Sequence, residues 1–269
     1  MKRNLKSLSG KIYKTMLYYG FDPKKLWRAL WYQKSKQWFY SDLKKLKQQM
    51  GEDKTFAMGP LYPVLTDKKD EGGTMKGAYF HQDLYVAQLI HEANPQKHLD
   101  IGSRADGFVA HVASFREIEL IDIREIHSKV KNVVFRQADL MQLPPDLVDY
   151  CDSVSSLHVI EHFGLGRYGD PIDFFGYLKA IDNIAKILKK DGTFYFSVPI
   201  GPQRIEFNAH RVFNVDYLVS ILCKDFEISS FSYIDDKGDF HENADWTGID
   251  AKYSFGCQFG CGVFVLRKL

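Results

Sequence analysis

Cysteine is sparse: the 269 residues hold four, Cys151, Cys223, Cys257 and Cys261. No disulfide framework can be read from so few, and a chain of this length fills a core without one. Three residues separate Cys257 from Cys261 and no second pair lies nearby, which speaks against a zinc site. Long apolar runs are missing too. No stretch of 18 apolar residues occurs and no apolar signal core follows the basic start, so the expectation is a soluble, cytoplasmic protein. A phosphate loop is also lacking: Gly102 and Gly107 have its outer spacing, but Phe108 stands where the lysine belongs. Acids are almost absent from residues 1–50, where Asp22 and Asp42 face 13 Lys or Arg. The other residues hold 32 acids against 23 bases, so a formal charge of +2 hides a strongly basic start.

What the chain has in quantity is apolar and aromatic side chains, 45% and 14%, enough for a sizeable core. The charge step divides it into a basic, aromatic-rich helical extension with a connector, 1–77, and a main domain, 78–269. In the first part Tyr13, Tyr18, Tyr19, Phe21, Trp27, Trp31, Tyr32, Trp38, Phe39 and Tyr40 sit among lysines. Asp22-Pro23 suits a helix start, and Leu26, Trp27, Leu30 and Trp31 then repeat at helical spacing. A second helix is expected over Asp42 to Met50. Packing of this segment on the main domain is the first reading, and peripheral contact of residues 1–50 with an anionic membrane the second. Nucleic acid is disfavoured, because no recognition pattern accompanies the charge. A partner protein stays open, and nothing specifies an oligomeric state. Residues 51–77, punctuated by Gly51, Gly59-Pro60, Pro63 and Gly72-Gly73, read as a connector. From it Tyr62 and the segment Lys76 to Tyr79 could fold back over a ligand.

A helix over Leu84 to Ala93 leads into an alternation. Strands are expected at 97–101, 118–122, 132–136, 149–154, 193–198, 226–234 and 261–267, with helices at 106–115, 124–129, 171–190 and 214–223. This pattern predicts an α/β fold with a mostly parallel sheet covered on both faces. The long polar loop before the last strand favours antiparallel pairing at that edge.

Ligands of such sheets sit outside the carboxyl ends of the strands. Here those ends carry acids. His98-Leu99-Asp100-Ile101-Gly102-Ser103 runs from an apolar strand into a glycine turn. Asp122 ends the second strand, placed either for a ribose diol or as the cap of a turn at Arg124. Asp139 and Leu140 follow the third, placed for an adenine edge or as a solvated turn. The fourth ends in small hydroxyl residues, Ser153, Ser155 and Ser156, and enters a turn carrying His158, Glu161 and His162.

On these residues, segment 79–269 resembles the class I methyltransferases that use S-adenosylmethionine. Leu99-Asp100-Ile101-Gly102-Ser103 matches the family's first strand and turn, Asp122 its ribose acid, and Asp139-Leu140 its adenine segment. His158-Val159-Ile160-Glu161-His162 and the glycine turn Asp191-Gly192 before the fifth strand also fit. The resemblance implies a Rossmann-like, seven-stranded, mostly parallel sheet with one antiparallel strand. It implies an S-adenosylmethionine site built from Asp100, Gly102, Ser103, Arg104, Gly107, Asp122, Ile123, Asp139, Leu140 and Ser155. One departure is marked: Arg104 and Asp106 stand where the family has further glycines, and Arg104 either reaches the cofactor carboxylate or points to solvent. The turn 102–111 and the stretch Asn208 to Phe213 look like a domain family of undetermined function often encountered near surface-polysaccharide genes. By association this suggests methyl transfer to a hydroxyl of a saccharide or small molecule.

A hydroxyl nucleophile needs a base, and the candidates are His158, His162, Glu206 and His210, with His158 first because it follows the fourth strand end. His158, Glu161 and His162 would share a helical face, but without a second cluster no metal is expected. Arg167 and Tyr168, in a glycine-rich loop, are available for an anionic or sugar substrate. Two other readings stay open. One is a catalytically inactive binding or scaffold module, which the missing turn glycines favour. The other is a nicotinamide-dependent oxidoreductase, disfavoured by Arg104 at the second fingerprint glycine and by an acid where a pyrophosphate would lie.

Overall fold

The computed structural model describes residues 12–13, 15–16, 19–53, 55–65, 67–69 and 72–269, with the side chains of 23–35 excluded. Two compact units are present, Met1–Thr74 and Met75–Leu269. In the first, helix α1 (Pro23–Met50) is one helix where the sequence pattern predicts two. No glycine or proline interrupts residues 24–50, so nothing stops the helix until Gly51 adopts φ 51°. Tyr18 and the side chains of Leu26, Trp27, Leu30, Trp31 and Tyr32 lie outside the described residues. Among the described residues, no helix is long and apolar enough to cross a membrane.

The second unit begins with α2 (Ala78–Ala93) and strand β1 (His98–Ile101), followed by a widened helical turn (Ala105–Val109) running into α3 (Ala110–Ala113). Next come β2 (Ile118–Asp122), β3 (Val133–Gln137), β4 (Cys151–Leu157), α4 (Gly176–Ile187) and β5 (Leu188–Ile200). A hairpin of β6 (Arg204–Glu206) and β7 (His210–Val212) precedes α5 (Val215–Leu222), β8 (Phe226–Ile234), β9 (Phe240–His241), α6 (Ile249–Lys252) and β10 (Gly260–Lys268). The main sheet has the order β3-β2-β1-β4-β5-β10-β8-β9. Strands β1 to β5 pair in parallel, and β10 inserts antiparallel between β5 and β8. This is the expected seven-stranded arrangement with one reversed strand, extended at its edge by the two-residue β9.

Two expected helices differ. Residues 124–129 are not helical, because the Asp122 carboxylate accepts the Arg124 amide at 2.8 Å and sets up a turn instead. Helix α4 is shorter than 171–190. Its end passes directly into β5, where Leu188 pairs with Cys151 and a register shift accommodates Asp191-Gly192.

The centre of the sheet is buried on both faces. Phe194, Phe196, Phe226, Phe231 and Phe264 form an aromatic cluster under α5, with Phe231 and Phe264 centroids 4.6 Å apart. The chain runs outward from β1 through β2 to β3, then returns to place β4 on the other side of β1. That reversal opens a crevice between the carboxyl ends of β1 and β4, the place where open α/β sheets receive ligands.

Candidate active site

A cavity of about 360 Å³ lies there. The first strand end supplies Ile101, Gly102 and Arg104, the second Ile121, Asp122, Ile123 and Arg124, and the third Ala138, Asp139 and Leu140. Beyond β4, His158, Val159, Glu161, His162 and Phe163 form the opposite wall, closed by Arg167, Tyr168, His210 and Phe259. Gly102 has φ +68°, and a Cβ on it would come within 2.7 Å of Val159 Cγ1, so a side chain there would intrude on the wall.

Five candidates do not line this cavity. Asp100 is fully buried behind the turn, where it accepts the Ser103 amide at 2.9 Å, the Ser103 hydroxyl at 2.7 Å and the Ser155 hydroxyl at 2.5 Å. It builds the turn, with Ser103 and Ser155 as its partners, and none of the three lines the cavity. Burial pushes the Asp100 carboxyl up to about 7 despite those donors. Gly107 faces helix α2: a Cβ would stand 2.6 Å from the buried Asp83 carboxylate. Glu206 sits in the hairpin, paired with Arg204 at 3.0 Å.

Asp122 takes the turn-capping one of its two expected roles. It lines the cavity, but Oδ1 accepts the Arg124 amide and Nε and Oδ2 accepts Nη2 at 2.7 Å. The Arg124 guanidinium lies 4.3 Å from the Tyr168 ring centre. Arg104 reaches the cavity edge, paired with Asp106 at 2.9 Å and 5.4 Å from the Tyr79 ring. Asp139 accepts the Met141 amide at 2.9 Å.

The histidines differ sharply from one another. His158 occupies the left-handed region at φ 56°, a strained position for a non-glycine residue. Its Nδ1 is 2.9 Å from Glu161 Oε1, and the two side chains are 9% and 1% exposed. Burial opposes a charge on His158, but Cys261 and Glu161 beside it outweigh that and hold its pKa well above the usual imidazole value. That direction disfavours His158, the first-ranked candidate, as a base. His162 is the opposite case. Burial lowers its pKa, with Arg167 and His158 adding to the effect against Glu161 and the Ala209 carbonyl. Its Nδ1 lies 2.6 Å from the Ala209 carbonyl, which fixes the proton on that nitrogen and leaves Nε2 with a free lone pair.

Three buried polar atoms at this wall have no hydrogen-bond partner: His158 Nε2, Glu161 Oε2 and His210 Nε2. Such atoms are costly unless a ligand completes them. Among the described residues, no group of His, Cys, Asp or Glu is arranged to hold a metal ion. Tyr79, in the segment expected to fold over a ligand, does line the cavity, whereas sequence reasoning missed Phe259 and Cys261. The neighbours of Phe259 and Cys261 give no signal, since β10 meets β4 only through the sheet.

Residues of this cavity suit S-adenosylmethionine. A carboxylate at the end of β2 could accept from a ribose diol, and apolar Ile123, Ala138 and Leu140 offer walls for a purine. Solved structures with this fold include the 1,6-didemethyltoxoflavin-N1-methyltransferase of Burkholderia thailandensis with bound 1,6-didemethyltoxoflavin and S-adenosylhomocysteine. It is 17% identical at a TM-score of 0.51, over 70% of this chain and 78% of that one. They also include the 4+2 cyclase SpnF, 14% identical at a TM-score of 0.51, over 73% and 85%. Identities this low show the fold alone, the class I methyltransferase-like fold, and that fold serves both a methyltransferase and a cyclase. No curated protein matches the chain. Residues 109–269, more than half of the sequence, match the family described as Caenorhabditis protein of unknown function, DUF268, and the chain belongs to that family.

Proposed function

We propose that the protein transfers a methyl group from S-adenosylmethionine to a hydroxyl of a small molecule or saccharide, with His162 as the base. The observation that carries this reading is the meeting of three strand ends in one cavity with a histidine whose Nδ1 is bonded to the Ala209 backbone carbonyl. Asp122 would receive the ribose hydroxyls, Ile123, Asp139 and Leu140 would flank the adenine, and the Gly102 turn with Arg104 would face the amino-acid end. When bound, S-adenosylmethionine supplies an electrophilic methyl group on a sulfonium.

The chain's own residues do the rest. His162 Nε2 accepts the proton of the acceptor hydroxyl, while the Ala209 carbonyl holds the ring by Nδ1–H. Glu161, 3.8 Å from Nε2, stabilises the imidazolium that forms. His158 balances Glu161 and keeps that carboxylate in place. Val159, Phe163 and Phe259 exclude water from the same wall. Isothermal titration of the folded protein with S-adenosylmethionine and S-adenosylhomocysteine tests the reading, and an absence of binding at about 1 mM overturns it.

A binding module without turnover is the second reading. It is favoured by the bidentate hold of Arg124 on Asp122, which a ribose must share or displace. Binding of S-adenosylhomocysteine with no methylation across an acceptor panel would select it. The basic, aromatic residues 1–50 support a cytoplasmic protein that visits the inner membrane face. Cosedimentation of the full chain with anionic but not neutral vesicles tests that placement.

A further inference from the structure

Three guanidinium groups border the cavity, and their partners differ. Arg104 is paired with Asp106, and Arg124 is held by both oxygens of Asp122. Arg167 has only a neutral hold: Nη1 donates to the Ala209 carbonyl at 3.0 Å and lies 3.4 Å from His162 Nδ1. Its guanidinium is 5.1 Å from the ring of Tyr168, on which Arg124 also lies.

The acids bordering the cavity do not compensate it. Asp122 is taken by Arg124, and Asp139 accepts the Met141 amide. Asp170 is spent on the loop itself, accepting the amides of Gly164, Gly166 and Tyr168. Glu161 is flanked by His158 and His162. Among the described residues lining this cavity, Arg167 is thus the arginine without a carboxylate partner. A second, independent feature points the same way. His158 Nε2 has no hydrogen-bond partner, on a side chain nine-tenths buried, and His158 lines this cavity as well as the neighbouring one beside Cys261.

Resting on the methyltransferase reading above, we propose that the acceptor is an anionic alcohol whose carboxylate or phosphate is held by Arg167. A guanidinium fork matches either anion by two parallel hydrogen bonds. With one Arg167 nitrogen bound to the Ala209 carbonyl, which also fixes His162, the anion is anchored beside the base. The neighbouring hydroxyl is thereby delivered to His162 Nε2. A neutral sugar would leave the arginine without its partner and lose that placement.

The test is titration calorimetry on the full chain, with and without saturating S-adenosylhomocysteine, using glucose, glucuronate and glucose 6-phosphate as probes. Glucuronate and the sugar phosphate separate the carboxylate and phosphate sources. The expected result is binding of one or both anions at least about tenfold tighter than glucose. Arg167→Gln abolishes that preference and leaves S-adenosylhomocysteine affinity within about twofold, whereas Arg167→Lys retains part of the preference. Equal binding of glucose and both anions, or a preference that survives in Arg167→Gln, overturns the proposal. A large loss of S-adenosylhomocysteine affinity in Arg167→Gln also overturns it, since the guanidinium would then serve the cofactor's own carboxylate. Failure of the wild type to bind S-adenosylhomocysteine overturns the methyltransferase reading instead, and the arm without it still decides the anion site.

Discussion

His158 Nδ1 and Glu161 Oε1 stand 2.9 Å apart within a buried pair, and the next histidine, His162, has its Nε2 3.8 Å from the same oxygen. One carboxylate thus serves two imidazoles whose pKa values are shifted in opposite directions, His158 well above the ordinary value and His162 below it by burial.

His162→Gln is therefore expected to lower kcat by about 10²- to 10⁴-fold while S-adenosylhomocysteine affinity, read by calorimetry, stays within about twofold. His158→Gln is expected to cost less rate. For the wild type, the acid limb of the pH–rate profile falls below about 6.5, because the base is already neutral under conditions where a free imidazole is half charged. A larger loss in His158→Gln, or a limb above that value, would return the base role to His158.

Asp122 cannot give both oxygens to Arg124 and to a ribose. Asp122→Ala is expected to weaken S-adenosylhomocysteine binding by about tenfold or more. Arg124→Ala is expected to strengthen it, because the carboxylate is released. Opposite signs in the two variants, measured by calorimetry, are the outcome required, and weakening by both would show that Arg124 itself holds the ligand.

At Gly102 both conformation and space exclude a side chain. With φ +68° and Val159 Cγ1 2.7 Å from a would-be Cβ, Gly102→Ala is expected to cost about 1–3 kcal/mol in urea unfolding. Adding Val159→Ala relieves the clash but not the backbone conformation, so only part of the loss returns.

Asp100 makes stability depend on pH. The native state keeps its proton up to about 7, whereas the unfolded chain releases it near the ordinary aspartate value of 3.8. Its stabilising contribution is complete below the lower value and is lost as pH rises through the upper one. His98, which shares Ser155 with it and is pushed down to about 3 by burial, works in the other direction below 6.5. Asp83 lies close enough to help raise Asp100. Comparison of wild type with Asp100→Asn isolates one group: the variant gains relative stability between about pH 4 and about pH 7 in urea denaturation. A constant difference across that range would disprove the assignment.

Sheet direction and the location of the ligand crevice were legible in the sequence, because apolar periodicity, glycine turns and acids at strand ends are local signals. Gly102, Arg104, Asp122, Ile123, Asp139 and Leu140 were found this way and do border the cavity. What could not be read was which side of a turn each side chain takes. Asp100 turns inward to Ser103 and Ser155, since the β1–β4 pairing places Ser155 opposite it. Gly107 makes room for Asp83, a residue 24 positions earlier on α2.

The ranking of the bases was likewise decided in three dimensions. His158 and His162 are equivalent in sequence, both flanking Glu161, and their protonation diverges only because β10 brings Cys261 beside one and the β6–β7 hairpin brings the Ala209 carbonyl to the other. Sequence alone determined that acids and a glycine turn meet at one edge of a parallel sheet. Tertiary structure decided which of those groups keep their protons, because desolvation and neighbouring charge depend on contacts between residues far apart along the chain.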